Sequence, residues 1–355
     1  MWFCKEWFSH VKRIGYLITE EKITTEYCKS IILKASKHKV KRRSVKRTLD
    51  NIDLYAEKLR DMVLKETYKS SPYSVCERVD LPSKKKRLLH KPVFYPDQCI
   101  HRLLIDLICD RLIKRLDPYA IASIPGRGIH YGYKAITRWL NTDKKGTKWC
   151  LKCDIKKCYE NIKPKFVIES FKRFVKDKKY LRLLTTVAYS LGVTGGLPLG
   201  NYTSAWFENL LLLDMDTAIR QFKGVNCYLR YVDDFISLAA NKRRLRKLVG
   251  LIVDMLSKIG LKLKDNWQIF KVSDRGIDML GYRFFYGYVL LRKRNLFALY
   301  RTIRNYIKKP CKYWATRFLC RFGGLKWFNS FNLSSWIESK VNILKARALC
   351  SGEIR

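Results

Sequence analysis

The apolar residues of this chain recur at helical spacing over long stretches and follow strand-like patterns over short ones. Helical spacing, with apolar side chains every three or four positions, is found in residues 51–64, 100–116 and 245–259. Alternating or continuous short apolar runs, which favour strands, are found in residues 149–154, 228–238, 261–264 and 275–284. The pattern therefore predicts a protein of mixed helices and strands.

One of the short runs contains two adjacent acids. Asp233 and Asp234 lie between two apolar, β-prone segments, and this arrangement predicts a tight hairpin with both carboxylates at its tip. Like charges at this distance repel, and a divalent cation such as Mg²⁺ relieves the repulsion because it takes oxygen ligands. A bare Asp-Asp pair is otherwise typical of a solvated turn. The apolar flanks favour the metal-binding interpretation because a surface turn does not need them.

Composition points to the class of partner. Of the 355 residues 47% are hydrophobic, so the chain can bury a substantial core. Lys and Arg total 73 against 31 acids, and the net charge of +42 is far larger than solubility requires. We therefore expect a nucleic-acid partner, with a structured RNA that stays bound during purification. Charge alone also fits a ribosomal, tRNA-binding or anionic-membrane protein, so it does not identify the reaction.

The cysteines and the apolar runs indicate the cellular compartment in which the protein is expected. The 12 cysteines are irregularly spaced and no secretory signal is seen, which favours free thiols in the cytoplasm. Cys150 and Cys153 form a lone CxxC without a second ligand pair, so zinc is not predicted there. No apolar run approaches the roughly 20 residues that cross a bilayer, so we expect no membrane association.

Three further segments carry candidate chemistry. Residues 83–92 form a cationic cluster that could hold a triphosphate, or merely a charged sheet edge. Two glycine-containing segments, residues 123–130 and 192–204, could approach phosphates or bases closely, with Arg127 placed to touch a nucleic-acid backbone; ordinary glycine turns are the alternative. Asp154 ends a predicted strand and would face a cleft, unless it caps the next element.

Together these segments resemble the reverse transcriptases. Tyr231-Val232-Asp233-Asp234 resembles their catalytic box, and the other segments follow in the family's order over roughly residues 82–284. The resemblance implies an α+β right-hand polymerase fold with fingers, a ferredoxin-like palm and a helical thumb. The implied segments are a basic helical extension, fingers with part of the palm, the rest of the palm, and the thumb, at residues 1–75, 76–150, 151–288 and 289–355.

The resemblance also implies roles for individual residues. Two Mg²⁺ ions, for which Mn²⁺ could substitute, would be held by Asp154, the Ile155 carbonyl, Asp233 and Asp234. Nucleotide contacts would come from Arg87, Tyr159, Leu199, Gly200 and Lys264. Tyr159 would be the gate that rejects a 2′-hydroxyl, and either Lys262 or Lys264 would protonate the leaving pyrophosphate. Primer and template contacts would come from Arg127, Leu280, Gly281 and Tyr282.

Within the family, residues 124–130, 199–204 and 275–282 look like those of diversity-generating retroelement enzymes and related prokaryotic unknown-group enzymes, several of which serve antiphage defence. Ala205 stands where the diversity-generating enzymes typically carry Gln, which favours the defence-associated group. The expected partners are an RNA template, a DNA or RNA primer, deoxynucleotides and a structured non-coding RNA, with a protein partner or a second copy left open. Alternatives are a diversity-generating enzyme, a polymerase making repetitive or untemplated DNA with protein or RNA priming, and a non-catalytic RNA-binding protein.

Overall fold

A computed structural model of the protein describes residues 13–80, 85–193, 195–329 and 331–351. Residues 1–12 of the predicted extension, residues 81–84 at the predicted cationic cluster, Thr194 of the second glycine segment and residues 352–355 lie outside these ranges. Helices and strands are mixed along the chain, which is compatible with the predicted α+β class. The predicted division into four segments stays a prediction.

The elements are numbered here in chain order. The helices are α1 Thr25–Ser36, α2 Arg43–Asp50, α3 Ile52–Leu64, α4 Cys99–Asp106, α5 Cys109–Ile113, α6 Ile129–Thr142, α7 Cys158–Asn161, α8 Pro164–Phe174, α9 Lys178–Ala188, α10 Tyr202–Leu211, α11 Leu213–Gln221, α12 Lys242–Lys258, α13 Val272–Arg275, α14 Lys293–Lys308, α15 Lys312–Phe322, α16 Phe331–Lys340 and α17 Ile343–Ser351. The strands are β1 Ser74–Asp80, β2 Lys85–Lys91, β3 Trp149–Asp154, β4 Cys227–Tyr231, β5 Asp234–Ala239, β6 Gln268–Lys271, β7 Ile277–Met279, β8 Tyr282–Phe284 and β9 Val289–Leu291.

The central sheet is antiparallel, with the strand order β4-β5-β3-β6. Strands β3, β4 and β5 are buried on both faces, because their alternate side chains enter two different cores, whereas β6 is partly exposed. Leu151 and Phe235 enter a large core that includes the apolar face of α12. Cys150 and Ile236 enter a second core with α6 and the β7–β8–β9 sheet. This two-sided burial explains why the β3 and β5 segments read as nearly continuous apolar runs.

The remaining strands form smaller sheets. β1 and β2 make a two-stranded antiparallel ribbon, in which Arg87 lies opposite Arg78. β7, β8 and β9 make a three-stranded antiparallel sheet. Helices α14 to α17 share a separate apolar core that includes Phe318 and Ile337. The helices of the described ranges are all too short or too polar to span a lipid bilayer.

Two predicted elements are wrong. Residues 100–116 were expected to form one helix, but α4 ends at Asp106 and α5 begins at Cys109, with Ile108 at φ −125° and ψ −9° between them. The apolar spacing continues through the break because both helices bury the same face, so periodicity could not reveal it. Residues 261–264 were expected to form a strand, but only Leu263 pairs, through a single bridge to Ile155. The chain meets the sheet edge there for one residue.

Candidate active site

The hairpin between β4 and β5 presents the two adjacent acids. Tyr231 pairs with Asp234, so Val232 and Asp233 form the turn, and Val232 takes the left-handed conformation with φ of 58°. A β-branched residue rarely adopts this conformation, which costs on the order of 1 kcal/mol or more. The turn therefore needs support from its surroundings.

A fully buried ion pair supplies that support. The Arg230 guanidinium donates two hydrogen bonds to the Asp216 carboxylate, at 2.8 and 2.6 Å, and a third to the Val232 carbonyl at 3.1 Å. The Tyr228 hydroxyl donates to the same carboxylate at 2.5 Å. Both side chains of the pair are inaccessible to solvent. The turn that carries Asp233 is thus fixed from below by charge-assisted hydrogen bonds.

The third predicted acid lies on the neighbouring strand. Strand pairing places Asp154 directly opposite Asp234, and the Ile155 N–H donates to the Asp233 carbonyl at 3.1 Å. Opposed residues of an antiparallel pair have Cα atoms about 4.5–5.5 Å apart. The structure therefore brings Asp154, Asp233 and Asp234 together at one end of the central sheet, although some eighty positions separate them in the sequence.

The cluster is electrostatically strained. Burial raises the pKa of the Asp233 carboxyl, and the charge of Asp154 raises it further. Burial also raises the pKa of Asp234 to about 6, while the Lys152 ammonium opposes the shift and Asp154 adds to it. Added positive charge at this position would therefore favour the ionised carboxylates.

A divalent cation fits these donors. Within the described ranges no group of three or more His, Cys, Asp or Glu side chains is arranged as a ready-made metal site. One oxygen each of Asp154 and Asp234 (Oδ1) is nevertheless buried and accepts no hydrogen bond from any described residue. Such buried acceptors cost free energy unless satisfied, and carboxylate oxygens are the ligands that Mg²⁺ prefers.

Two lysines hold the other carboxylate oxygens. The Lys264 ammonium forms an ion pair with Asp154 Oδ2, and the Lys264 N–H donates to the Asp154 carbonyl at 2.9 Å. The Lys262 side chain is exposed instead, and which of the two lysines protonates pyrophosphate stays a prediction. On the other side, Lys152 Nζ lies 3.7 Å from Asp234 Oδ2.

Lys152 also connects the acids to the predicted primer-contact hairpin. Its ammonium donates to the Asp278 carbonyl at 2.5 Å, and the Asp278 carboxylate pairs with Arg292 at the start of α14. The Arg292 N–H in turn donates to the Gly281 carbonyl at 3.1 Å. Lys152, Asp278 and Arg292 were not predicted as site residues, because nothing in the sequence shows that Lys152 meets Asp278, which lies 126 positions away.

The glycine segment before α10 threads between Tyr159 and the β1–β2 ribbon. The Leu197 N–H donates to the Tyr159 carbonyl at 2.8 Å, and the His90 N–H donates to the Leu199 carbonyl at 2.8 Å. Gly200 has φ of 122°, and a side chain there would meet the His90 carbonyl at 2.6 Å. The segment can pass only because glycine allows this close backbone approach.

Gly196, in the same segment, also lies too close to neighbouring backbone to carry a side chain. A Cβ atom at Gly196 would lie 2.2 Å from the Tyr159 carbonyl oxygen and 2.5 Å from that of Glu160. Backbone atoms cannot easily move aside, so we expect Gly196→Ala to displace Tyr159 and lower nucleotide incorporation at least about tenfold, with a loss of stability of about 1–3 kcal/mol. Single-nucleotide extension and denaturant unfolding would measure both effects.

Gly250→Ala is the matched control. Gly250 lies in α12 and a Cβ atom there meets no atom within 4 Å. Alanine should stabilise this helix by up to about 1 kcal/mol and leave incorporation unchanged. Equal activity of the two variants would contradict the close approach of Gly196 to Tyr159.

The buried carboxyl group of Glu208, next to Tyr159, was not predicted from the sequence. Glu208 of α10 is almost inaccessible, and burial raises its pKa to about 7 against the opposing effects of Arg230 and of a hydrogen bond with Tyr159. The Cys158 thiol lies 3.7 Å from Glu208 Oε1. The sequence feature that could have indicated Glu208 is its position as a lone acid within the apolar helical run that begins at Trp206.

The remaining predicted residues lie around this centre. Arg87, on β2, is close enough for its charge to lower the pKa of Asp233. Leu280 and Gly281, with φ of 56° and 88°, form the turn between β7 and β8, and Tyr282 is buried with its ring 5.4 Å from that of Tyr133. Their roles in binding nucleotide or primer stay predictions.

Arg127 is held by its own chain. Its guanidinium donates to the Asp117 carbonyl at 2.5 Å, to the Ala120 carbonyl at 3.2 Å and to the Ile113 carbonyl at 3.4 Å. These bonds fix the loop before α6, and a contact with nucleic acid stays a prediction. The same loop and Tyr231 line an open pocket of about 460 Å³ beside the hairpin.

The geometry agrees with a comparison against protein families. The family model "Reverse transcriptase (RNA-dependent DNA polymerase)" matches residues 84–284, more than half of the chain, and this match includes the three acids. A search of curated proteins found no match. The chain belongs to the reverse transcriptase family and is an RNA-directed DNA polymerase.

Proposed function

We propose that the protein makes cDNA by two-metal nucleotidyl transfer centred on Asp154, Asp233 and Asp234. As a reverse transcriptase it uses an RNA template, a primer and nucleotides, and enzymes of this family generally require divalent metal ions. The observation that carries the proposal is the pairing of Asp154 with Asp234, which leaves a buried, unbonded oxygen on each. When bound, Mg²⁺ would activate the primer hydroxyl and neutralise the leaving group. Mn²⁺ has the same preference for oxygen and could substitute.

The chain's own residues have distinct tasks in this reaction. The primer 3′-oxygen gives its proton to solvent water and bonds to the α-phosphorus, while the bond from that phosphorus to pyrophosphate breaks. Asp154 and Asp233, with the Ile155 carbonyl and Asp234 assisting, would hold the cations. Lys264, now paired with Asp154, would turn to the departing pyrophosphate and donate a proton.

The nucleotide would lie between the ribbon and the glycine segment. Arg87 would place a fixed positive charge at the triphosphate. Leu199 and Gly200, held against His90, would line the templating pair. In this interpretation the β1–β2 ribbon belongs to the fingers, the central sheet is the palm, and α14 to α17 form a thumb that grips the duplex with Leu280, Gly281 and Tyr282 at the primer.

The direct test is extension of a primed RNA by the purified protein. We expect incorporation of deoxynucleotides that depends on Mg²⁺ and stops when EDTA removes the ion. Sequencing the product then distinguishes templated cDNA from repetitive or untemplated DNA made on an internal RNA or protein primer. Failure to incorporate on any primed RNA, or on RNA that copurifies with the protein, would contradict the proposal.

Tyr159→Ala should weaken discrimination against ribonucleotides. Tyr159 is mostly buried between the acids and the glycine segment, where its ring would meet a 2′-hydroxyl. Removing the ring should raise the ratio of ribonucleotide to deoxynucleotide incorporation by about tenfold or more, since each 1.4 kcal/mol of lost steric rejection corresponds to tenfold. Tyr159→Phe keeps the ring and should retain discrimination, and equal ratios for both variants would contradict the gate.

We further propose that the protein serves prokaryotic antiphage defence in the cytoplasm. The support is the likeness of the three segments named above to defence-associated enzymes, together with Ala205 in place of the Gln typical of diversity-generating ones. A bacterium expressing the protein with its flanking genes should reduce phage plating, and Asp233→Asn should abolish the protection. Mutagenic copying of a template repeat, without protection, would favour diversification instead.

A further inference from the structure

A strongly basic surface lies outside the region matched by the family model. It consists of exposed cations on the turn after α1 and on α2, and is called the basic patch here: Lys37, Lys41, Arg42, Arg43, Lys46 and Arg47. The sequence from residue 27 to residue 49 contains no acid at all. The next acid is Asp50, the last residue of α2, so the patch is a concentration of positive charge with a single acid on the same helix.

The cations that flank the basic patch, in contrast, form ion pairs. On α1, Lys29 pairs with Asp53 of α3 and Lys34 pairs with Asp106 at 2.7 Å, and on the far side of α3 Lys65 pairs with Asp61 at 2.7 Å. No ion pair within the described part of the chain involves a residue of the basic patch. Carboxylates thus pair with the flanking cations and leave the basic patch uncovered.

The folded chain holds the basic patch in place without using its charges. Val45 and Thr48 of α2 are buried, and this anchors the helix with its cations directed to solvent. Lys39 ties the preceding turn to the body, because its ammonium donates to the Ala35 carbonyl at 3.1 Å and to Gln98 Oε1 at 2.7 Å. The basic patch is therefore an ordered surface.

The cations at the start of α2 oppose its stability, whereas Arg47 in its last turn is favourably placed. The helix has no acid in its first turn, and two arginines stand at its start, where the helix dipole disfavours cations by about 0.3–1 kcal/mol each at an exposed site. Mutual repulsion of the six cations adds to this cost. An external polyanion would reverse both effects.

We infer that the basic patch binds the phosphate backbone of a structured RNA outside the primer–template cleft. The inference rests on the proposed function, since that function brings RNA to this protein. The bond from Lys39 to Gln98 places the patch beside the helical turn Phe94–Gln98. The Gln98 side-chain amide in turn donates to the carbonyl of Pro92 at 2.9 Å, and Pro92 directly follows β2, the strand carrying Arg87. RNA held there would extend from the nucleotide-binding side of the enzyme. A membrane partner is disfavoured, because helices that bind a membrane surface carry several exposed apolar anchors among their cations. Within residues 37–47 a single large apolar residue, Val40, is exposed.

The test compares two variants with equal loss of charge. In the first, Lys41, Arg43, Lys46 and Arg47 are each replaced by Gln. In the second, the same replacement is made at four exposed cations of α12, which packs on the central sheet: Arg243, Arg244, Arg246 and Lys247. Gln is a good helix former, so both variants should keep their circular dichroism and thermal unfolding.

Binding of a stem-containing RNA is measured across a salt series. If each replaced cation contacts one phosphate, the slope of log K against log salt should fall by about 3 for the first variant and by less than 1 for the second. Extension of a short primer–template that fills only the cleft should stay unchanged in both.

Several outcomes would overturn the inference. An unchanged slope in the first variant, or an equal fall in both, would show that the basic patch is not a specific RNA surface. If the first variant loses binding to anionic phosphatidylserine vesicles but retains RNA binding, the basic patch would be assigned to a membrane surface. If the wild-type protein incorporates no nucleotide, the salt slopes still decide the question of RNA binding, so the two failures are distinguishable.

Discussion

Asp233→Asn should reduce nucleotide incorporation by on the order of a thousandfold or more while RNA binding stays nearly unchanged. The amide keeps the shape of the side chain but loses the negative charge that holds a divalent cation, and with it the main electrostatic stabilisation of the transition state. The fold should not suffer, because burial and Asp154 already raise the pKa of Asp233. Primer extension and RNA binding on the same preparation measure the two effects.

Asp265→Asn is the matched control for this variant. Asp265 is an exposed acid next to Lys264, so the replacement removes the same charge close to the site without touching the three acids. We expect incorporation within about twofold of wild type, since surface substitutions of this kind have small effects. A comparable loss in both variants would mean that general charge, and not Asp233 itself, determines activity.

Arg230→Met should destabilise the protein by about 3–5 kcal/mol, because it leaves the Asp216 carboxylate buried without its counter-charge. It also removes the donor to the Val232 carbonyl, which supports the left-handed turn carrying Asp233. Denaturant unfolding measures the loss of stability. For comparison, Lys258→Met breaks an exposed ion pair with Asp254 and should cost less than about 1 kcal/mol.

The double variant Arg230→Met with Asp216→Asn separates the two roles of the ion pair. Removing both charges should recover much of the lost stability, because a neutral buried pair carries no uncompensated charge. Incorporation should stay low, since the Val232 carbonyl still lacks its donor. Full recovery of activity in the double variant would show that the hydrogen bond to the turn is dispensable.

Sequence patterns predicted the local features of the site well. The hairpin of β4 and β5 and the strand ending at Asp154 follow from short apolar runs whose acids lie at their ends, and both are present. The meeting of Asp154 with Asp234 is a long-range pairing, which the resemblance to reverse transcriptases implied and local periodicity could not. Residues 100–116 show the limit of periodicity, because one apolar face continues over two helices.

The supporting residues could not be predicted because their roles depend on which side chains the fold brings together. Arg230 acts through Asp216, and Lys152 acts through Asp278 and Arg292. Nothing in a linear pattern distinguishes such a cation from the many others in a chain with 73 of them. The ion pair of Lys264 with Asp154, and the exposure of Lys262, likewise follow from the fold and not from a linear pattern.

We propose that the three acids together hold divalent ions at the site of nucleotide transfer. The most direct test of this proposal is to count Mn²⁺ ions bound to the protein by electron paramagnetic resonance, with a non-extendable primer on RNA and the matching deoxynucleotide present. We expect two bound ions per wild-type chain and the loss of at least one in Asp154→Asn. The same number of bound ions in both proteins would contradict it.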